Sequence, residues 1–72
     1  MISQTAEYAL RAIVYLADHD EPQTNAQIAE VTEVPVGYLA KVMQSLSRAR
    51  VVTAQRGLRG GFRLAHAADE LT

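Results

Sequence analysis

The sequence predicts a mainly α-helical domain closed by a small β-hairpin, and three observations predict it. Apolar residues recur at three- and four-residue spacing in three separate stretches, the pattern of helices that bury one side. After the third stretch come two short runs, Val51-Val52-Thr53 and Gly61-Phe62-Arg63-Leu64, joined by a glycine-rich turn. Finally, 72 residues with 49% apolar and 21% charged side chains suit one small globular domain rather than a disordered chain. A domain of this size buries only about 60% of its unfolded surface, so its stability should be marginal without a partner or further segment.

The first helix is predicted over 3–18. Ser3 is suited to its N-cap, and Ala6, Ala9, Leu10, Ile13, Leu16 and Ala17 form its apolar stripe. Glu7 and Arg11 stand off that stripe, four residues apart in the favourable order, and should make a modest surface pair. Pro22 disfavours helix at the residue before it, which ends the element near Asp18. Tyr8 and Tyr15 read as amphipathic packing residues. A second helix is predicted over 25–32, opened by a capping box of Thr24 and Gln27, with Ile28, Ala29 and Val31 turned inward. The third runs over 35–49. Pro35 is tolerated in its first turn because its missing N–H would be unpaired there. Leu39, Val42, Met43 and Leu46 make its buried stripe. Two short helices joined by a tight turn, with small Ala29 where they cross, predict a helix-turn-helix.

The remaining residues, 51–65, predict a hairpin with Phe62 and Leu64 on one side and Arg63 on the other. A helix-turn-helix followed by such a hairpin is a winged helix-turn-helix. The hairpin turn, Gln55-Arg56-Gly57-Leu58-Arg59-Gly60-Gly61, lets the backbone adopt positive φ and approach another surface closely. No GKS or GKT triplet follows and the turn leads into a strand, which argues against a nucleotide-binding loop.

Charge sharpens the functional expectation. The net charge is only −1, yet it is unevenly spread. Residues 1–33 hold one Arg and six acids, whereas residues 34–68 hold six cations and no acid; Asp69 and Glu70 complete the balance. One acidic and one basic half make a directional field that can steer a polyanion onto one face. On the third helix Gly37, Tyr38, Ala40, Lys41, Gln44, Ser45 and Arg48 read as an exposed face suited to groove edges and phosphates. At the hairpin tip, Arg56, Gly57, Arg59 and Gly60 suit a narrow, electronegative minor groove. The plainer alternatives are a solvated cationic surface, or a winged helix that binds protein and no DNA.

Other classes have less to build on. With no cysteine, neither a disulfide nor a thiolate-held metal can form within these residues. His19 and His66 fall in predicted loops, and Ser45 and Ser47 have no nearby base, so no enzyme is expected. Glu30-x-x-Glu33 reads as a solvated helix end. No apolar run approaches a membrane span, and the start lacks a secretory signal; the expected location is the cytoplasm.

The sequence resembles the IscR/NsrR family of bacterial transcription regulators (the Rrf-two family). The resemblance rests on Glu7-Tyr8-Ala9-Leu10, Ile28-Ala29, Val36-Gly37-Tyr38-Leu39, Leu46, Val51-Val52 and the wing Arg56-Gly57-x-x-Gly60-Gly61-Phe62, and it covers essentially the whole chain. It implies a dimeric repressor or activator on double-stranded DNA, with the third helix in the major groove and a wing arginine in the minor groove. Gly37, Tyr38, Ala40 and Lys41 match the helix-start positions that the family uses for DNA, and Arg56 the wing-tip position. Three departures stand out: Glu33 where the family has glycine at the turn, Pro35 for a common serine cap, and Ala40 for a longer polar residue. The resemblance also implies a following dimerisation helix, whose first residues would fall near 69–72, so the chain is expected to be either an excised DNA-binding domain, truncated there, or a naturally short member. In cluster-sensing members that segment carries three cysteines for an iron–sulfur cluster, which the residues of this chain cannot hold.

Overall fold

A computed structural model describes residues 3–57 and 60–65 of the chain. The order is α1 (Gln4–Ala17), α2 (Asn25–Thr32), α3 (Val36–Arg48), β1 (Val52–Gln55) and β2 (Gly61–Leu64). The further helical region expected near 69–72 lies outside the described residues, as do Leu58, Arg59 and His66.

Local chemistry fixes the helix ends. The Ser3 hydroxyl accepts from the Ala6 N–H at 3.1 Å, relieving one of the orphan donors of the first turn of α1. In α2 the capping box is complete: Gln27 N–H donates to the Thr24 hydroxyl at 3.1 Å, and Thr24 N–H donates to Gln27 Oε1 at 2.8 Å. Pro35 is the N-cap of α3 and makes no side-chain cap. Helix α3 therefore starts one residue later than expected and ends one earlier.

The exits of α2 and α3 both use left-handed residues that are not glycine. Glu33, between α2 and α3, has φ 63° and ψ 27°, the conformation that L side chains disfavour by roughly 1–2 kcal/mol. Arg50 has φ 64° and closes α3 with a pair of bonds. Its own N–H reaches Ser47 O at 3.0 Å, and the next N–H, of Val51, reaches Leu46 O at 2.9 Å. That double closure is a Schellman motif, and it turns the chain directly into β1.

The core comprises Ala12, Leu16, Ile28, Val34, Leu39, Met43 and Val52, with Tyr8, Tyr15, Ala29, Leu46, Phe62 and Leu64 packed half-buried around it. For α3 the expected stripe is the buried one, although Leu46 is only half covered. For α1 the expectation needs correction. Leu10 is 51% exposed, and Ala6 and Ala17 are exposed too. The face that packs runs instead through Tyr8, Ala12, Tyr15 and Leu16. Ala12 brings the helix close, and the tyrosines bury their rings while keeping hydroxyls at the rim. In α2, Val31 was expected inside and is 62% exposed; it stands about 200° around the helix from Ala29, which packs half-buried against the core beside Ile28.

Strands β1 and β2 pair antiparallel, in the register Val52↔Leu64, Thr53↔Arg63, Ala54↔Phe62 and Gln55↔Gly61. A third, single-residue partner joins them. Gln23 exchanges both backbone hydrogen bonds with Phe62 at 2.8 Å, which stitches the α1–α2 connection to the hairpin. A Cβ on Gly61 (φ 149°) would lie 2.5 Å from Gln23 backbone atoms, so only glycine lets the two chains meet. The Gln23 side chain is buried and satisfied: Tyr15 Oη donates to its Oε1 at 2.7 Å, and its Nε2 donates to Glu21 O at 3.0 Å.

Candidate nucleic-acid interface

Helix α3 presents the candidate surface because its sequence separates two stripes. Leu39, Val42 and Met43 are buried with Leu46 beside them, while Lys41, Gln44, Ser45 and Arg48 each lie two positions further on. At about 100° per residue that offset is about 200°. Gly37, Ala40, Lys41, Gln44, Ser45 and Arg48, spaced by three and one alternately, therefore share the outward face, and all six are exposed.

Tyr38 departs from that set. It stands one turn before the buried Val42, at the flank of the helix, and is half-buried. Its hydroxyl is hydrogen-bonded to the Thr5 hydroxyl of α1, and its ring meets Tyr8 edge-on, with centroids 5.2 Å apart and planes at 85°. Thr5, Gly37, Tyr38, Lys41, Val42 and Ser45 line a shallow groove between the start of α1 and the outer side of α3.

On the wing, Arg56 and Gly57 are exposed at the end of β1. Gly57 has φ 119° and nothing near its missing Cβ. Gly60 is half-buried and has a reason inside the fold, since a Cβ there would meet Gln55 O at 2.6 Å. Arg59 lies outside the described residues. Arg63 is exposed across the hairpin from Thr53.

Electrostatically the two halves differ. The one ion pair among the described residues joins Arg11 to Glu7 at 3.0 Å, within the acidic half. Lys41, Arg48, Arg50, Arg56 and Arg63 are exposed, and none of them joins an ion pair among those residues. Cations left without carboxylate partners at a surface keep their charge available to an external anion. His19, read from sequence as a solvated loop residue, is exposed with Nδ1 bonded to Tyr15 O at 2.7 Å. Among the described residues no helix is long and apolar enough to cross a membrane.

A family model described as Rrf2, iron-dependent transcriptional regulator, matches residues 2–72. The chain belongs to the Rrf2 family. Among curated Rrf2 relatives, a protein of Aquifex aeolicus carrying the provisional name HTH-type transcriptional regulator is 44% identical, over 100% of this chain and 51% of its own length. A similarly named protein of Synechocystis sp. is 36% identical over 99% of this chain and 50% of its own. The chain thus spans about half the length of the curated relatives it matches. Of solved structures, IscR of T. potens superposes with a TM-score of 0.88 at 29% identity, covering 97% of this chain and 53% of that one. CymR, the global cysteine regulator of B. subtilis, gives 0.86 at 30% identity, over 100% and 57%. Both likenesses agree with three helices and a wing.

The iron in the Rrf2 description finds no ligand set in these residues. The sequence holds no cysteine, and among the described residues no three His, Asp or Glu side chains gather as metal ligands would. An iron–sulfur cluster does not fit this chain's own donors.

Proposed function

We propose that this Rrf2 domain binds double-stranded DNA sequence-specifically, with α3 in the major groove and the hairpin tip in the adjacent minor groove. The observation that carries the reading is the outward stripe of α3: glycine, alanine, amide, hydroxyl and two cations, with no acid and no ion pair among the described residues. The major groove, about 12 Å wide, admits one helix. Lys41 and Gln44 can then reach base edges, the amide pairing two-pronged with adenine and the ammonium with guanine. Ala40 offers a methyl-sized apolar contact to thymine. Arg48 and Ser45 reach phosphates, which position the helix without reading sequence. Arg56, on a glycine-flanked tip, enters the minor groove, where narrow A/T-rich tracts concentrate negative potential. Gly57 and Gly60 belong to the same turn.

A longer form bearing this domain is a homodimeric regulator, a repressor or an activator, its two copies meeting half-sites about 34 Å apart on one face of the duplex. The reading is tested by selecting from a pool of random-sequence duplexes on the immobilised chain. Enrichment of a shared motif, lost with Gln44→Ala or Lys41→Ala, is the expected result. Retention of duplexes with no motif enriched would reduce the domain to a non-specific DNA binder. No retention at all at low salt would leave a protein-binding winged helix as the better account.

A further inference from the structure

The cation that the basic half lacks, Arg11, stands on α1 and reaches across the turn of the helix-turn-helix. Its Nη1 donates to Thr32 O at 3.1 Å, one of the carbonyls that α2 leaves unpaired at its C-terminus, where positive charge also suits the helix dipole. Its Nη2 is held by Glu7 at 3.0 Å, and its guanidinium carbon lies 5.7 Å from the centroid of the Tyr8 ring, within cation–π range. Tyr8 in turn carries the edge-on ring of Tyr38, and its hydroxyl accepts from Gln4 Nε2 at 2.9 Å. One turn back along α1, Thr5 bonds the Tyr38 hydroxyl. Three residues of α1 spaced by three, Thr5, Tyr8 and Arg11, thus hold both the last turn of α2 and the first turn of α3.

We infer that Tyr38 is a positioning residue of the DNA interface: through Thr5 and Tyr8 it sets the tilt at which α3 enters the groove, and it does not itself contact the duplex. The inference rests on the DNA-binding reading above and changes one of its members. The hydroxyl that sequence alone assigns to the nucleic acid is already engaged within the fold. Turning it toward a phosphate would break the Thr5 bond and uncover the Tyr8 ring.

The test is a double-mutant cycle on the full chain, read by fluorescence anisotropy with a mixed-sequence duplex, at a temperature where thermal melts show every variant folded. Thr5→Val and Tyr38→Phe each remove one side of the hydroxyl pair. Each should weaken binding by roughly three- to tenfold, the range that one net hydrogen bond spans. The double variant should be no weaker than either single one, because both remove the same interaction. Thr5→Ser, which keeps the hydroxyl, should restore wild-type affinity. A purely structural role would lower the melting temperature and leave the affinity of the folded chain unchanged, which would overturn the inference. So would a loss confined to Tyr38→Phe, or losses that multiply in the double variant, since either result means a direct contact with the duplex. If the wild-type chain itself fails to bind the duplex, the underlying DNA reading falls, and this inference with it.

Discussion

Gly37 separates what the fold needs from what a ligand needs. It lies in the first turn of α3, exposed, and a Cβ built there meets nothing within 4 Å. Glycine inside a helix costs roughly 0.5–1 kcal/mol relative to alanine, so no internal contact explains its presence. On the DNA-binding reading proposed above, a surface that approaches the helix closely does. Gly37→Ala should therefore raise stability in urea denaturation by up to about 1 kcal/mol while weakening DNA binding severalfold, two effects of opposite sign. Higher stability with unchanged affinity would remove Gly37 from the interface. Gly60 and Gly61 contrast with it, because their missing side chains are demanded by Gln55 and Gln23 within the molecule. A glycine-rich turn in sequence does not reveal which glycine serves the fold and which serves a partner; the surroundings of each Cβ do.

At the scale of elements, α3 was the most legible part of the sequence. Its two stripes alternate cleanly, so periodicity alone separated buried Leu39, Val42 and Met43 from exposed Lys41, Gln44 and Arg48. Helix α1 was harder to read because apolar residues surround it: Leu10 and Val14 are as apolar as Leu16, yet they stand in solvent. Its packed face is set by small Ala12 and by two tyrosines, which periodicity weights lightly. The bridge from Gln23 to Phe62 was illegible altogether, since one residue between a proline and a helix cap carries no strand pattern. The turn between α2 and α3 could be read only through family resemblance, which set Glu33 where glycine is usual. Its φ of 63° gives that departure a cost. Glu33→Gly should stabilise the domain by about 0.5–1 kcal/mol, the relief of left-handed strain less the entropy that glycine adds to the unfolded chain. A lower denaturation midpoint for that variant would mean the glutamate makes compensating contacts.

Over the whole molecule, charge is divided by sequence half: the acidic half pairs its arginine with Glu7, and among the described residues the cations of the basic half join no ion pair. Such a molecule should meet DNA as a polyelectrolyte, exchanging its unpaired cations for counterions released from the duplex. Salt dependence reads that exchange more directly than affinity does, because each phosphate neutralised contributes about −0.9 to the log–log slope. The deciding measurement is the salt titration of duplex binding by the wild-type chain and by Arg56→Ala. Four to six cation–phosphate contacts predict a wild-type slope of about −4 to −5, made shallower by about one when Arg56 is removed. A slope near zero, or one that Arg56→Ala leaves unchanged, would contradict a helix and wing that grip the duplex together.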